Sequence, residues 1–249
     1  MRRKTMTLKD APFGHLLSRR QVITLFGITG ALWLMGDRLS SRKSFAGIPA
    51  PSCVVRPEQT EGPYFIDERL NRSDIRSDPT SGEVKPGTPL ALTLQIFRLG
   101  SGDCRPLAGA QVDIWHCDAL GVYSDVRDAS FNTIGQKFLR GYQITDAQGE
   151  VTFFTIYPGW YAGRTVHIHM KVRTAHTAER HLEFTSQMYF DDALTNRVYT
   201  DQPYAAKSRR NARNQDDWIF RRGGDQLMLA PTATATGYAA TFGIGLQHP

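Results

Sequence analysis

The run Leu90-Ala91-Leu92-Thr93-Leu94-Gln95-Ile96-Phe97-Arg98-Leu99 has the pattern of a β-strand, and it ends at the turn-forming residues Gly100-Ser101-Gly102-Asp103. The next segment, residues 110–115, alternates between apolar and polar residues and is followed by the turn Asp118-Ala119-Leu120-Gly121. Side chains that alternate with a period of two point to opposite faces of a sheet. Both segments therefore predict a fold built mainly from β-strands.

More strands are predicted downstream, at 139–145, 150–156, 165–172 and 182–190. Strands spaced about 8–15 residues apart, with turn residues between them, are typical of an antiparallel β-sandwich. We expect little helix, limited to residues 192–198 and a turn near 204–210. The 22 glycines and 13 prolines also favour short strands joined by turns. The predicted fold class is mainly β, an antiparallel sandwich with an extended N-terminal arm.

The composition excludes several classes of protein. With 41% hydrophobic and 22% charged residues among 249, the chain is not fully disordered and can form one sizeable core. No apolar run reaches about 18 residues, which excludes a multi-span membrane protein. The sequence contains no fixed-period repeat, no glycine-rich phosphate loop and no nucleophile elbow.

The formal net charge of +6 is concentrated at the N-terminus. Residues 1–46 contain nine basic and two acidic side chains, so the leader carries +7 and residues 47–249 carry −1. The basic stretch at 207–222 is interpreted as a solvated surface segment. A nearly neutral mature chain gives no support for nucleic acid as a partner.

The leader has the pattern of an export signal rather than of a folded unit. Ser18-Arg19-Arg20-Gln21 precedes an apolar run at 22–35, and Ser44-Phe45-Ala46 offers a small-x-small cleavage site. The run is too short to span a bilayer, and the paired arginines indicate the twin-arginine type. A retained anchor or a buried helix is the alternative. The prediction is an exported protein with no stable membrane span after removal of the leader.

The mature chain divides into an extended arm at 47–88 and a β-sandwich catalytic domain with a C-terminal tail at 89–249. Export places it in an oxidising compartment, where disulfides persist. Two of Cys53, Cys104 and Cys117 are expected to pair, but the sequence does not specify which two. Two pairs of adjacent acidic residues, Asp191-Asp192 and Asp216-Asp217, are interpreted as turn and capping residues rather than as catalytic carboxylate pairs.

The tripeptide His167-Ile168-His169 is the sharpest chemical signal in the sequence. In a strand both imidazoles face the same side, which makes half of a metal site, although a polar pair on a solvent-facing strand would have the same pattern. Tyr161 lies shortly before this pair, and Tyr123 follows an upstream turn. A tyrosine is held as a phenolate at neutral pH only by a strongly Lewis-acidic cation, and ferric iron fits that requirement better than zinc or calcium.

Seven motifs between about residues 53 and 200 resemble the intradiol ring-cleavage dioxygenases, the family of protocatechuate and catechol dioxygenases. The motifs are Thr60-Glu61-Gly62-Pro63-Tyr64-Phe65, Pro106-Leu107-Ala108-Gly109-Ala110, the segment from Trp115 to Gly121-Val122-Tyr123, Arg140-Gly141, Thr145-Asp146-Ala147-Gln148-Gly149, Phe154-Thr155-Ile156-Tyr157-Pro158-Gly159-Trp160-Tyr161, and Arg164-Thr165-Val166-His167-Ile168-His169. Their order and their spacing both match the family.

The resemblance implies a β-sandwich that binds one non-haem Fe(III) per chain. The implied site residues are the metal ligands Tyr123, Tyr161, His167 and His169, the active-site Arg164, and Gln187, which lines the same pocket. Tyr123 would be the equatorial tyrosinate, and Tyr161 the axial one that the substrate displaces. The implied reaction takes a small catechol and O₂ to a cis,cis-muconate-type diacid that contains both oxygen atoms.

Three features differ from the better-known members of the family. Arg164-Thr165-Val166-His167 stands where Arg-Pro-Ala-His is usual, and only two residues separate Tyr161 from Arg164. The arm is too short for the helical dimerisation domain of catechol dioxygenases, and those enzymes lack an export leader. The ring substituents of the substrate and the oligomeric state therefore stay open.

Two other functions compete with ring cleavage. The first is a secreted β-sandwich module that binds an aromatic polymer or a carbohydrate without turnover. The second is a copper or zinc hydrolase in which His116 joins His167 and His169, although His116 is expected to lie behind the site or at the surface. Of its neighbours, Cys117 is expected to be a disulfide partner or a buried thiol. Trp115 is expected to be a core residue, although it lies close enough in sequence to line the pocket.

Overall fold

The computed structural model describes residues 53–100, 103–174 and 182–247. The predicted export leader at 1–46 lies outside these residues. Within the described part of the chain, no helix is both long enough and apolar enough to cross a membrane.

Over the described residues the chain forms nine β-strands and one short α-helix. In chain order they are β1 Pro89–Leu99, β2 Cys104–Pro106, β3 Gln111–Trp115, β4 Arg140–Ile144, β5 Glu150–Ile156, β6 His167–Arg173, β7 Glu183–Tyr189, α1 Asp192–Val198, β8 Thr232–Ala233 and β9 Tyr238–Gln247. Short 3₁₀ turns occupy Tyr204–Ala206, Asn214–Asp216 and Gly224–Leu227. The predicted strand-rich fold with little helix is confirmed.

The strands form two sheets. In the first, β2 and β5 pair antiparallel with one edge of β1, β9 pairs with its other edge, and β8 extends β9. In the second, the order is β4-β3-β6-β7 and every pair is antiparallel. The predicted sandwich is therefore confirmed, but it is not wholly antiparallel.

The exception is the parallel pairing of β1 with β9, which runs from Leu90 opposite Tyr238 to Leu99 opposite Gln247. The sequence pattern predicts only a C-terminal tail in this region. The strand Tyr238-Ala239-Ala240-Thr241-Phe242-Gly243-Ile244-Gly245-Leu246-Gln247 contains two alanines and two glycines, which weaken a β-pattern. Its pairing partner comes from the opposite end of the domain, so no local signal marks it.

The core lies between the sheets. Leu90, Leu92, Leu94 and Ile96 of β1 are each at most 1% exposed, and they face residues of the second sheet that are equally buried. On β6 the core-facing residues are Ile168, Met170 and Val172. Burying a side chain of this size contributes about 1.5–3 kcal/mol. The remaining β6 side chains point away from this core.

Residues 53–88 form no regular strand of their own and lie along the strands of both sheets. Isolated bridges join Val55 to Gly245 of β9 and Asn71 to Tyr142 of β4. The disulfide Cys53–Cys104 fastens the start of this segment to β2, which settles the cysteine pairing that the sequence left open. Cys117 is a buried free thiol, as one of the two expectations held.

The helix α1 has the bounds predicted from the sequence, and Asp191 caps it. The Asp191 carboxylate accepts a hydrogen bond from the backbone N–H of Leu194 at 2.8 Å. A side-chain acceptor at this position satisfies one of the unpaired N–H groups of the first turn. The interpretation of Asp191 as a capping residue is confirmed.

Phe153 and Phe154 are adjacent on β5 but differ in burial, because Phe153 is 0% exposed and Phe154 is 49% exposed. A comparison of their alanine variants therefore tests how this strand packs. We expect Phe153→Ala to lower the free energy of unfolding by about 3–5 kcal/mol. Phe154→Ala is the matched control, with an expected change within about 0.5 kcal/mol. Urea denaturation measures both. Equal losses in the two variants would contradict the packing described.

Candidate metal and active site

Strand β6 places His167 and His169 on the sheet face that points away from the core. Ile168 and Met170, between and beyond them, belong to the core between the sheets. Both histidines are buried, at 2% and 1% exposure, and their Nε2 atoms lie 3.1 Å apart. The prediction that the two imidazoles share one face is confirmed, and the alternative of a solvent-facing polar pair is wrong.

Both histidines are neutral at physiological pH. Burial, together with the nearby Arg164 guanidinium, lowers the pKa of His167 to about 3. Burial and the neighbouring His167 hold the pKa of His169 well below its ordinary value. His167 Nδ1 donates to the Thr165 carbonyl at 2.6 Å, so its Nε2 carries a lone pair that faces the site.

Two tyrosines complete the cluster. The Tyr161 hydroxyl lies 3.3 Å from His167 Nε2, and the Tyr123 ring is 5.6 Å from the Tyr161 ring between centroids. Tyr123 is 1% exposed, and its hydroxyl has no hydrogen-bond partner among the described residues. A buried, unpartnered hydroxyl is unusual in proteins and indicates a group that binds there.

Both phenols stay protonated at neutral pH unless a cation binds them. Burial raises the pKa of Tyr161 to about 12 and raises that of Tyr123 well above its ordinary value. Among the described residues, no group of three or more His, Cys, Asp or Glu side chains is arranged to hold a metal. A metal at His167 and His169 would therefore take the tyrosines as its other protein ligands, and their chemistry fits a hard, strongly acidic cation.

Arg164 lies beside Tyr161, with Nη1 3.4 Å from the phenolic oxygen. Its Nη2 donates to Gln187 Oε1 at 2.5 Å, and its Nε donates to Asp217 Oδ2 at 2.8 Å. Gln187 is 0% exposed and donates in turn to the Thr60 carbonyl at 2.8 Å. Gln187 therefore acts on the site by holding Arg164 and the arm.

Asp217 belongs to the site as the partner of Arg164, and the sequence does not reveal this pairing. The sequence predicts a turn or capping residue at this position, and Asp217 does accept from the Ile219 N–H at 2.8 Å. Its other oxygen accepts from both Arg164 Nε and the Thr165 N–H, and the side chain is fully buried. No sequence signal marks this pair, because 53 residues separate Asp217 from Arg164.

The arm closes the site from above. The Tyr64 ring stacks on Tyr123 at 4.6 Å between centroids, and its hydroxyl donates to Asp128 at 2.8 Å. Gly62 packs so closely on the site that a Cβ there would lie 3.3 Å from His169 Cε1. The motif at 60–65 is visible in the sequence, but the sequence does not show that it lies over the two tyrosines.

The loop that ends in Tyr161 is fixed by side-chain donors on three of its backbone carbonyls. They are Tyr204 on the Tyr157 carbonyl at 2.6 Å, Tyr199 on the Pro158 carbonyl at 2.9 Å and Lys207 on the Trp160 carbonyl at 2.6 Å. The Lys207 ammonium also donates to the Leu120 carbonyl, on the loop that leads to Tyr123. One side chain thus ties together the two loops that position the tyrosines.

A cavity of about 470 Å³ opens beside the tyrosines. Its walls include the rings of Tyr64, Tyr123, Phe131, Trp160 and Tyr161, together with Lys207. Ligand pockets in proteins have volumes of about 300–1,000 Å³. The cavity therefore has the size and the aromatic walls that suit a flat aromatic ring.

His116, which follows β3, does not join His167 and His169 in the metal site that the copper or zinc hydrolase hypothesis requires. His116 is 0% exposed, with Nδ1 2.8 Å from the Cys117 carbonyl and Nε2 2.6 Å from Thr155 Oγ1. Both ring nitrogens are occupied, so His116 lies behind the site and a surface position is excluded. The expectation that Trp115 packs in a core is confirmed: it is 2% exposed and belongs to a small buried cluster with Cys117 and Tyr123, where its ring stacks on His169 at 4.8 Å.

The Arg164–Asp217 pair predicts a specific loss of stability. Replacing one partner of a buried ion pair costs about 3 kcal/mol, so we expect Asp217→Asn to lower the free energy of unfolding by that amount. Asp225→Asn is the control, because Asp225 is exposed and its side chain has no ion-pair or hydrogen-bond partner among the described residues, with an expected change within about 0.5 kcal/mol. Equal effects in the two variants would contradict the role of the pair.

The same pair predicts a pH dependence. Burial alone would raise the pKa of Asp217, but the Arg164 guanidinium and backbone N–H groups hold it below its ordinary value. A lowered pKa contributes stability at neutral pH that is lost as the pH falls through the folded-state pKa. Between pH 7 and pH 3, wild type should therefore lose more stability than Asp217→Asn.

Comparisons with known proteins identify the family. A family model described as dioxygenase matches residues 60–215. The chain is 30% identical over 185 residues to the protocatechuate 3,4-dioxygenase beta chain of Burkholderia cepacia, which covers 70% of this chain and 77% of that one.

Two solved structures are similar in fold. An intradiol ring-cleavage dioxygenase from Tetranychus urticae has a TM-score of 0.66 and 30% identity over 78% of this chain and 95% of its own. The dioxygenase domain of a dioxygenase carbohydrate-binding protein fusion from Streptomyces sp. SirexAA-E has a TM-score of 0.56 and 28% identity over 79% of this chain and 100% of its own. The chain therefore belongs to the dioxygenase family, among its intradiol ring-cleaving enzymes.

Proposed function

We propose that the protein cleaves the aromatic ring of a catechol between its two hydroxylated carbons, using O₂, and releases a cis,cis-muconate-type diacid. One ferric ion per chain is held by Tyr123, Tyr161, His167 and His169. The observation that carries this proposal is the convergence of two buried phenols on two neutral imidazoles whose Nε2 atoms lie 3.1 Å apart. These groups converge beside a cavity with aromatic walls.

Ferric iron is the metal that matches this ligand set. A phenol whose pKa is raised to about 12, as for Tyr161, loses its proton at neutral pH only to a strong Lewis acid. Zinc and calcium polarise a phenol less strongly, and thiolate-preferring metals find no thiolate here, since Cys117 donates to the Gly159 carbonyl. Fe³⁺ with two phenolates and one hydroxide is neutral overall, so burying it carries a small electrostatic cost.

The bound iron would supply the Lewis acidity that holds catechol as its dianion and prepares the ring for dioxygen. Tyr161 is the protein group placed to accept one of the two phenolic protons, because its oxygen lies at the metal-facing edge of the cavity. Arg164 Nη1 is 3.4 Å from that oxygen and would stabilise the negative charge that develops beside it. Asp217 and Gln187 fix the guanidinium before substrate arrives, so little reorganisation is needed.

The arm and the aromatic walls bind and shield the ring. Tyr64, stacked over Tyr123, covers the tyrosine pair and limits the access of water from that side. The cavity of about 470 Å³ leaves room beyond a single ring, which favours a catechol that carries a substituent. Bulky phenolic catechols of plant or lignin origin fit this description.

Export through the twin-arginine leader is part of this proposal. It is supported by the Arg19-Arg20 pair before the apolar run in the sequence, and by the Cys53–Cys104 disulfide. Disulfides persist in the periplasm and outside the cell, whereas the cytosol keeps thiols reduced.

Oxygen uptake with a series of catechols tests the proposed reaction. We expect about one O₂ consumed per ring cleaved, with both atoms of ¹⁸O₂ recovered in the diacid, because a dioxygenase transfers both oxygen atoms to the product. A protein that binds catechols without consuming oxygen would instead be the secreted binding module.

A tyrosine variant links the reaction to the metal. Tyr123→Phe should lower iron affinity at least about tenfold, with a parallel loss of oxygen uptake and of the wine-red tyrosinate-to-iron colour. Tyr142→Phe is the control, because Tyr142 lies half-buried on β4 outside the cluster, and it should retain iron and colour. A colourless wild-type protein with one zinc per chain would overturn the assignment.

A further inference from the structure

A second cavity of about 490 Å³ lies beside the active-site cavity and has a different character. Its lining includes Tyr199, Tyr204, Lys207, Arg209, Arg210 and Arg213. We call it the basic cleft. Sequence analysis interpreted the basic stretch at 207–222 as a solvated surface, whereas the structure gathers four of its cationic side chains around one concave site.

The basic cleft adjoins the cavity that holds the two tyrosines. Lys207 lines both cavities. Its ammonium lies 4.5 Å from the centroid of the Trp160 ring, and Trp160 is the residue before Tyr161. Lys207 is therefore the residue at which the two cavities meet.

The charges in the basic cleft are only partly compensated. Arg210 pairs with Asp192. Lys207 donates to the Trp160 and Leu120 carbonyls rather than to a carboxylate. The exposed Arg209 and Arg213 side chains have no ion-pair or hydrogen-bond partner among the described residues. Three cations without a carboxylate partner in one concavity produce a positive potential that attracts an anion.

The basic cleft also offers apolar surface. The rings of Tyr199 and Tyr204 are stacked, with centroids 5.2 Å apart and planes 9° apart. Their hydroxyls are used for the carbonyls of the Tyr161 loop, so what remains for a ligand is the face of the half-exposed Tyr199. A carbon chain that ends in an anion matches this combination of aromatic wall and guanidinium groups.

We propose that the basic cleft binds a carboxylate carried on a side chain of the catechol ring, so that the enzyme prefers catechols with an acidic side chain to neutral ones. The proposal rests on the proposed function for the identity of the ring. Arg209 and Arg213 are the groups that would hold the carboxylate, because a guanidinium can donate two parallel hydrogen bonds to its two oxygens. Lys207 adds a positive charge at the position that both cavities share.

Matched substrates test the preference. We expect 3-(3,4-dihydroxyphenyl)propanoate to have a kcat/KM at least about tenfold higher than its methyl ester, which keeps the ring and loses the charge. In the double variant Arg209→Ala/Arg213→Ala this ratio should fall to near one, mainly through KM of the acid. Arg221→Ala removes an exposed arginine outside both cavities and should leave the ratio unchanged.

A binding measurement separates the basic cleft from the reaction. The probe 3-phenylpropanoate lacks the two hydroxyls and cannot be cleaved, and calorimetry should give a Kd about tenfold weaker for the double variant than for wild type and Arg221→Ala. The same Kd in all three proteins, or an acid-to-ester ratio near one in wild type, overturns the proposal. If the Kd differs as expected but neither catechol consumes oxygen, the basic cleft stands and the proposed function fails.

Discussion

The Nε2 atoms of His167 and His169 lie 3.1 Å apart in a buried site, and the Tyr161 hydroxyl lies 3.3 Å from the first of them. Both imidazoles are neutral, and the Tyr123 hydroxyl beside them has no partner within the described chain. A buried polar group that is left unpaired costs about 1–3 kcal/mol, so the Tyr123 hydroxyl destabilises the fold of the polypeptide alone. In the proposed function a bound cation would take these four groups as its ligands.

That arrangement depends on the two faces of β6. Ile168, Met170 and Val172 anchor the strand in the core between the sheets, and this fixes the opposite orientation of the histidines. The register then sets Trp115 of β3 and Gln187 of β7 on either side of His169. A slip of one residue would bury the histidines in the core and expose the apolar face, so the hydrophobic pattern that stabilises the sandwich also determines the geometry of the site.

Sequence patterns predict the parts of this design that are local. Alternation locates β1, β3 and β6, and His167-Ile168-His169 places two imidazoles on one face without further information. The resemblance to the intradiol dioxygenases implies that Tyr123, Tyr161 and Arg164 share a site, and the structure places these residues close to one another. What the patterns do not predict is long-range pairing. Strand β9 was missed because its small residues carry a weak signal and its partner lies far away in the chain.

The same limit applies to the residues that support the site. Nothing local marks Asp217 as the partner of Arg164, and nothing local shows that the ring of the buried Trp115 stacks on His169. Tyr64 and the basic cleft likewise depend on segments that meet only in the folded chain. The histidine pair thus has a short-range sequence signal, while the residues that position it and shape the cavities do not.

X-ray anomalous scattering from crystals of the purified protein shows most directly whether these four side chains hold one ferric ion. Data collected on either side of the iron absorption edge should show one peak per chain between the hydroxyls of Tyr123 and Tyr161 and the Nε2 atoms of His167 and His169. A map without a peak at that point, or a peak there that appears at the zinc edge instead, would contradict the assignment of a ferric ion to these four side chains.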